Sequence, residues 1–149
     1  DWLLPYLGDE NSFRQCHKLD LYKLLHNMLS WEQLQIVERL APEKITVPSG
    51  SAISIDYADA ESPVLAVRLQ EVFGLHETPT LLAGHRRLML HLLSPAHRPM
   101  QVTQDLKSFW KTAYHEVKKE LRGKYKKHYW PDDPLTAQAT SKTKKQMNR

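Results

Sequence analysis

Cysteine and glycine are scarce in this 149-residue sequence. Cys16 is the only cysteine, which excludes an intramolecular disulfide and a cysteine-based zinc cluster. The single thiol fits a reducing compartment, so we expect a cytoplasmic protein. The five glycines form no GxxxxGK[ST] pattern, which excludes a Walker A nucleotide site. No apolar run approaches the roughly 18 residues that span a bilayer, so we expect no membrane partner.

Arrangements typical of catalytic or metal sites are also lacking. Residues 49–51, Ser-Gly-Ser, are interpreted as a hairpin turn, because no helix follows them and no partnered base is identifiable. His85, His91 and His97 recur every six residues, but a glycine turn and two prolines separate them. No paired carboxylates and no Ser/His/Asp set stand out. We therefore expect a non-catalytic chain with no bound cofactor and no metal.

Positive charge is concentrated at the C-terminal end. Residues 107–149 carry 12 Lys/Arg and 4 Asp/Glu, a net charge of +8, whereas residues 1–106 carry 9 and 13, a net of −4. A surface that attracts a polyanion would therefore be C-terminal.

The same region contains the clearest helical pattern. Apolar residues recur at spacings of three and four, as one buried stripe requires: Leu106, Phe109, Trp110, Ala113, Val117 and Leu121. Thr103 is the predicted N-cap and Gly123 the predicted stop of one long amphipathic helix. The opposite face carries Lys107, Lys111, Lys118 and Arg122. That face is interpreted either as the ordinary solvated side of the helix or as a contact surface for phosphates.

Basic and aromatic residues then alternate from Lys124 to Trp130. Cations attract phosphates and rings stack on bases, so this run suits single-stranded nucleic acid. The rings of Tyr125, Tyr129 and Trp130 can instead cover the core, with Pro131 and Pro134 fixing the path of the chain. The candidate nucleic-acid-binding residues are Lys107, Lys111, Lys118, Arg122, Lys124, Tyr125, Lys126, Lys127, Tyr129 and Trp130.

The rest of the chain indicates an α+β fold. Asp20 and the pair Ser30 and Gln33 predict the starts of two short N-terminal helices. Alternation over residues 45–57 and over residues 80–93 predicts two hairpins, and residues 64–73 fit a strand followed by a short helix. We expect a small antiparallel sheet or partly open barrel between the N-terminal helices and the long C-terminal helix. Residues 135–149 lack apolar periodicity and predict a disordered basic tail.

Particular residue strings resemble a known family. Residues 92–106 read LLSPAHRPMQVTQDL, Phe109-Trp110 follows, and residues 114–134 contain Y-x-E-V-x-K-E-L-R-G-x-Y and H-x-W-P-x-D-P. These strings are similar to the C-terminal signature of the bacterial HrpB-type ATP-dependent helicases of the DEAH-box class. Residues 42–74 resemble the segment that precedes that signature. The resemblance implies a helical end of an accessory domain at 1–41 and an α+β domain at 42–134.

The resemblance also implies a function for the chain. It would be a non-catalytic C-terminal domain of an RNA helicase whose motor domains bind ATP and Mg²⁺ elsewhere, since neither a Walker A nor a DEAH sequence is present here. An OB-like barrel is expected because such a domain follows the helical domains in related DEAH helicases. The partners would be single-stranded RNA, or another nucleic acid, and the parent's own motor domains. The alternative is a structural domain that docks on the motor or on a partner without touching nucleic acid.

Overall fold

The computed structural model describes residues 2–6 and 17–148, so residues 1, 7–16 and 149 lie outside the described residues, together with that part of the predicted N-terminal helical segment. The chain divides into two compact units, Asp1–Val37 and Glu38–Arg149. No helix in the described ranges is long and apolar enough to cross a membrane.

Two short helices dominate the N-terminal part, α1 at Leu21–Asn27 and α2 at Trp31–Leu40, after a 3-10 turn at Leu4–Tyr6. The Asp20 carboxylate accepts a hydrogen bond from the Lys23 amide at 3.0 Å, as an N-cap does. Ser30 and Gln33 form a reciprocal capping box, with hydrogen bonds of 2.8 and 3.2 Å. Both predicted helix starts are confirmed. Neither helix contains a buried residue.

The described residues form seven strands: β1 (Lys44–Thr46), β2 (Ala52–Asp56), β3 (Val64–Arg68), β4 (Thr80–Leu81), β5 (Arg86–Arg87), β6 (Met89–Leu93) and β7 (Pro99–Thr103). Five of them form the main sheet, in the order β1-β2-β3-β6-β7. Strands β4 and β5 pair separately as a small hairpin. The predicted hairpin at residues 45–57 is confirmed, with Gly50 at φ +86° in its turn.

The centre of the sheet differs from the antiparallel sheet that the sequence predicts. Strand β6 pairs in parallel with β3, with Leu65 opposite Leu90 and Val67 opposite Leu92. A parallel pair requires a crossover connection, and residues 69–88 provide it. Of the predicted hairpin at 80–93, only the pairing of Thr80–Leu81 with Arg86–Arg87 is present. The prediction is wrong for residues 89–93, which pair with β3 instead. Strands β1 and β7 are the two edges, so the sheet is open and the OB-like barrel is not confirmed.

The predicted long C-terminal helix is divided into α3 at Leu106–Lys111 and α4 at Tyr114–Lys124. The N-cap is Asp105, whose carboxylate accepts from the Ser108 amide at 2.9 Å, and not Thr103. The break lies at Thr112, whose hydroxyl donates to the Ser108 carbonyl at 2.8 Å. Such a bond back to the preceding turn commonly bends helices. Helix α4 continues one residue beyond Gly123.

One hydrophobic core unites the sheet with α3 and α4. Tyr114 is fully buried at its centre, with ring centroids 5.4 Å from Trp110 and 6.2 Å from Phe73. Burial raises the pKa of the Tyr114 phenol, and the carboxylate of Asp132 adds to this effect. The phenol donates to the Pro131 carbonyl at 2.8 Å, which fastens the segment after α4 to the core.

Candidate nucleic-acid interface

Three of the seven predicted cationic contacts are engaged within the domain. Lys107 pairs with Glu77 at 3.2 Å, Lys124 pairs with Glu120 at 2.6 Å, and Lys118 pairs with Asp132. The other four cations are exposed and form no ion pair with another residue of the described ranges: Lys111, Arg122, Lys126 and Lys127. These four are the cations best placed to meet an external anion.

Lys118 differs from the other lysines because its side chain is only 11% exposed. Its aliphatic stem lies in the interior of the domain, and its ammonium group reaches the exposed carboxylate of Asp132. The hydrogen bond from Lys118, followed by its positive charge, lowers the pKa of Asp132. Lys118 therefore contacts the segment after α4, and its amino group already has a partner.

The three candidate rings have different environments. Trp130 is 9% exposed and its indole nitrogen donates to the Tyr125 carbonyl at 3.1 Å, so it covers the core. Tyr125 packs against the core, and its hydroxyl donates to Ser94 Oγ at 3.2 Å. Tyr129 is half-buried and takes part in no aromatic pair with another described residue. Tyr129 is therefore the ring best placed to stack on a base.

His128 lies between the rings of Tyr125 and Trp130. Its Nδ1 atom is buried without a hydrogen-bond partner in the described part of the chain. Burial, together with the positive charge of Arg68, lowers the pKa of His128 below 6.5 and so favours the neutral ring. His128 therefore adds no charge to this surface near neutral pH.

Residues 135–148 differ from the predicted disordered tail, because they pack against the domain. Thr140 is buried, and its amide and carbonyl both bond to Gln70. A short helix, α5 at Lys144–Met147, follows a capping box formed by Thr143 and Gln146. The segment is held by polar bonds to Gln70 and by Leu135, Ala137 and Ala139, which pack against the core. Three small contacts of this kind do not stand out in the composition, which is dominated by polar and basic residues.

The tail brings two further lysines to the surface. The Lys144 amide donates to the Lys127 carbonyl at 2.9 Å, and Lys144 and Lys145 are both exposed. Sequence reasoning did not single out these two residues, although Thr143 and Gln146 show the three-residue spacing of a capping box just before the end of the chain.

Two concave regions adjoin at Lys144. One, of about 610 Å³, is lined by Lys127, Thr143, Lys144, Lys145 and Gln146. The other, of about 320 Å³, is lined by Arg122, Tyr129, Trp130, Asp132 and Lys144. Arg122 and Lys144 therefore lie in the same concave region as the half-buried ring of Tyr129, together with the Asp132 carboxylate, which is paired with Lys118. Cations beside an available ring are the combination that suits single-stranded nucleic acid.

The serine turn at residues 49–51 has an internal role. Both hydroxyls donate to Oε1 of Glu71, at 3.1 Å from Ser49 and 2.6 Å from Ser51, and Arg68 donates to Oε2 at 2.9 Å. Burial raises the pKa of Glu71, but the hydrogen bonds from Arg68 and Ser51 outweigh burial and leave the pKa lowered. A carboxylate behind the turn opposes an anion there, so the turn is not a phosphate site.

Comparison with known proteins places the chain in a family. The model of the helicase family HrpB_C, described as "ATP-dependent helicase C-terminal", matches residues 2–134. The chain is 48% identical over 144 residues to the ATP-dependent RNA helicase HrpB of Escherichia coli. The aligned region covers 97% of this chain and 18% of that protein.

Two crystal structures of E. coli HrpB are similar to the chain. One, described as a DExH-box NTPase, has a TM-score of 0.84 and 47% identity over 95% of this chain and 18% of its own. The other, described as a DEAH/RHA helicase, has a TM-score of 0.65 and 45% identity over 87% of this chain and 16% of its own. The chain thus spans less than a fifth of the length of these relatives. It belongs to the HrpB_C family of ATP-dependent helicase C-terminal domains.

Proposed function

We propose that this domain is a non-catalytic accessory module of an ATP-dependent RNA helicase and that it binds single-stranded RNA. The observation that carries the proposal is the group of exposed cations Arg122, Lys126 and Lys127 near the half-buried ring of Tyr129. Arg122 lines the same concave region as Tyr129, and Lys126 and Lys127 line a separate concave region formed by the residues just before it in the chain. The cations would contact phosphates and the ring would stack on a base. ATP and Mg²⁺ would be handled by other domains of the parent protein.

Salt dependence tests this proposal directly. Phosphate contacts release counterions, and each contact contributes about −0.7 to the slope of log K against log salt for a single strand. We expect labelled single-stranded RNA to bind the chain with a steep slope in fluorescence anisotropy. The combined variant Arg122→Ala, Lys126→Ala and Lys127→Ala should reduce that slope by about 2.

The matched control removes three cations that already have carboxylate partners, through Lys107→Ala, Lys119→Ala and Lys124→Ala. It changes the net charge equally but should reduce the slope by less than about 1. Absence of binding at low salt, or an equal loss in both triple variants, contradicts the proposal.

Tyr129 provides a second test that does not involve charge. We expect Tyr129→Ala to weaken binding by about 1 to 3 kcal/mol, the usual contribution of an aromatic stacked on a base, with the salt slope unchanged. A Tyr129→Phe variant keeps the ring and should bind like the unchanged chain.

A different observation favours the docking function as a second candidate. Helices α1 and α2 expose large apolar side chains, among them Tyr22 at 74% and Trp31 at 70%. Such a surface fits contact with other domains of the parent helicase. Under this alternative the charge variants leave RNA binding by the parent unchanged, whereas Trp31→Ala with Ile36→Ala weakens the association of the domain with the motor domains.

A further inference from the structure

A segment near the C-terminus, residues 138–148, is anchored to the core by hydrogen bonds to the main chain and side chain of Gln70 and by the packing of Ala139. Gln70 is fully buried, and its Nε2 atom donates to the carbonyls of Thr140 at 2.9 Å and Lys142 at 3.2 Å. The main-chain carbonyl of Gln70 accepts from the Thr140 amide at 3.0 Å. A buried N–H group without partners is costly, so the two carbonyls of this segment compensate the burial of Nε2. Oε1 of the same side chain has no partner among the described residues. We call residues 138–148 the strap.

The residues just before the strap, 134–137, also lie close to the core, at Gly74. The Gly74 amide donates to the Pro134 carbonyl at 2.9 Å, and Gly74 has φ +80°. A Cβ atom at Gly74 would lie 3.8 Å from the Leu135 carbonyl oxygen and 3.7 Å from that of Ala137. The backbone therefore runs close over Gly74 before it reaches the Gln70 anchor.

The other end of the strap determines where its lysines lie. The Lys144 amide donates to the Lys127 carbonyl. The Thr143 amide donates to Oε1 of Gln146 at 2.9 Å. Lys144 lines both concave regions, with Arg122 and Tyr129 on one side and Lys127 and Lys145 on the other. It thus stands between the two places where phosphates would lie.

We propose that the strap is an ordered part of the RNA-binding surface, in which Lys144 and Lys145 contact consecutive phosphates of a single strand and Gln70 is the positioning residue that holds them there. The inference rests on the proposed function and extends it to residues beyond 134, where the family match ends. An untethered basic tail would add charge without a fixed position, whereas this strap converges with Arg122 and Lys127.

The first experiment removes the charges. Lys144→Ala with Lys145→Ala should reduce the magnitude of the salt slope for single-stranded RNA by about 1.4, corresponding to two phosphate contacts. Lys119→Ala with Lys124→Ala is the matched control, since these exposed lysines are paired with Glu116 and Glu120, and it should reduce the slope by less than half as much. If the unchanged chain binds RNA and the strap variant keeps its slope, the strap is excluded while the proposed function stands.

The second experiment removes the anchor and keeps every lysine. Gln70→Met retains a side chain of similar length but removes the two hydrogen bonds that Nε2 donates to the Thr140 and Lys142 carbonyls. It should reproduce the slope loss of the lysine pair. The main-chain bond to the Thr140 amide remains possible, so faster exchange of that amide would report that the whole strap has loosened. A variant of the exposed cap, Thr143→Ala with Gln146→Ala, makes the same test without disturbing the core and should also lower the slope. If both variants bind RNA like the unchanged chain, the lysines act without a fixed position and the inference is overturned.

If the unchanged chain binds no RNA, both the proposed function and the role of the strap are contradicted.

Discussion

At the scale of single residues, Lys118 and Arg122 show how one helical face divides into two roles. They lie four residues apart on one face, yet Lys118 is buried whereas Arg122 is exposed. The sequence presents both as cations on a solvated face. The segment after α4 folds back over Lys118 but not over Arg122, so only the second remains a candidate for phosphate binding.

This difference predicts unequal effects on stability. We expect Lys118→Ala to lower the free energy of unfolding by about 1 to 2 kcal/mol, because it removes a buried aliphatic stem. Arg122→Ala should change it by less than about 0.5 kcal/mol. Urea denaturation of the two variants measures both values. Lys118→Met keeps the stem and should retain most of the stability, and an equal loss in the alanine and methionine variants would contradict the role assigned to the stem.

Glu71 predicts a pH dependence at the same scale. Its folded pKa is lowered below 4.5, so the folded state binds fewer protons than the unfolded state. The stabilisation from Glu71 is therefore present above that value and is lost as the pH falls through the folded pKa. Urea denaturation at pH 7 and at about pH 3 should show that the free energy of unfolding falls less between these two values for Glu71→Gln than for the unchanged chain. An equal fall in both proteins would contradict the assignment.

At the scale of elements, the apolar stripe continues across the break between α3 and α4. Residues at 106, 109 and 110 precede the break and those at 113, 117 and 121 follow it, so the three-and-four spacing gives no sign of the interruption. At the break the Thr112 hydroxyl bonds back to the Ser108 carbonyl, and both short helices pack on one core. The buried face was predictable from the stripe, but the helix ends were not.

The stripe nevertheless predicts on which helical face a substitution lowers the free energy of unfolding most. Trp110 is 4% exposed and its indole nitrogen donates to the Leu75 carbonyl at 2.8 Å. Trp110→Ala should cost about 3 to 5 kcal/mol of unfolding free energy, as for other large buried aromatics. The adjacent, exposed Lys111→Ala is the control and should cost less than about 0.5 kcal/mol. If the order of these two losses in thermal or urea denaturation were reversed, the assignment of the faces would be wrong.

At the scale of the whole molecule, the core belongs to one of the two units. Every buried hydrophobic residue of the described ranges lies between Val47 and Trp130, and helices α1 and α2 bury none. Stability is therefore distributed unevenly along the chain.

Hydrogen exchange followed by mass spectrometry should reveal this distribution. Amides of α1 and α2 should exchange by local opening, far faster than those of β3 and β6, which lie at the centre of the sheet. The small hairpin of β4 and β5 serves as an intermediate reference. Equal protection of α1 and β3 would contradict the division into units.

The sequence by itself determined the local features of this protein. Helix starts at Asp20 and Ser30, the first hairpin and the buried stripe follow from side-chain chemistry within a few residues, which needs no distant partner. The family was likewise readable from the residue strings between Leu92 and Pro134.

Only the tertiary structure decided the contacts between residues distant in sequence. The parallel pairing of β3 with β6, the burial of Lys118 and the bond between Gln70 and Thr140 join segments separated by 14 to 70 residues. Such contacts depend on which surfaces the folded core brings together, and periodicity along the chain does not encode that. The candidate RNA surface therefore contains fewer residues than the sequence predicted, because Lys118 and Trp130 are buried. It also gains two residues that the sequence did not single out, Lys144 and Lys145.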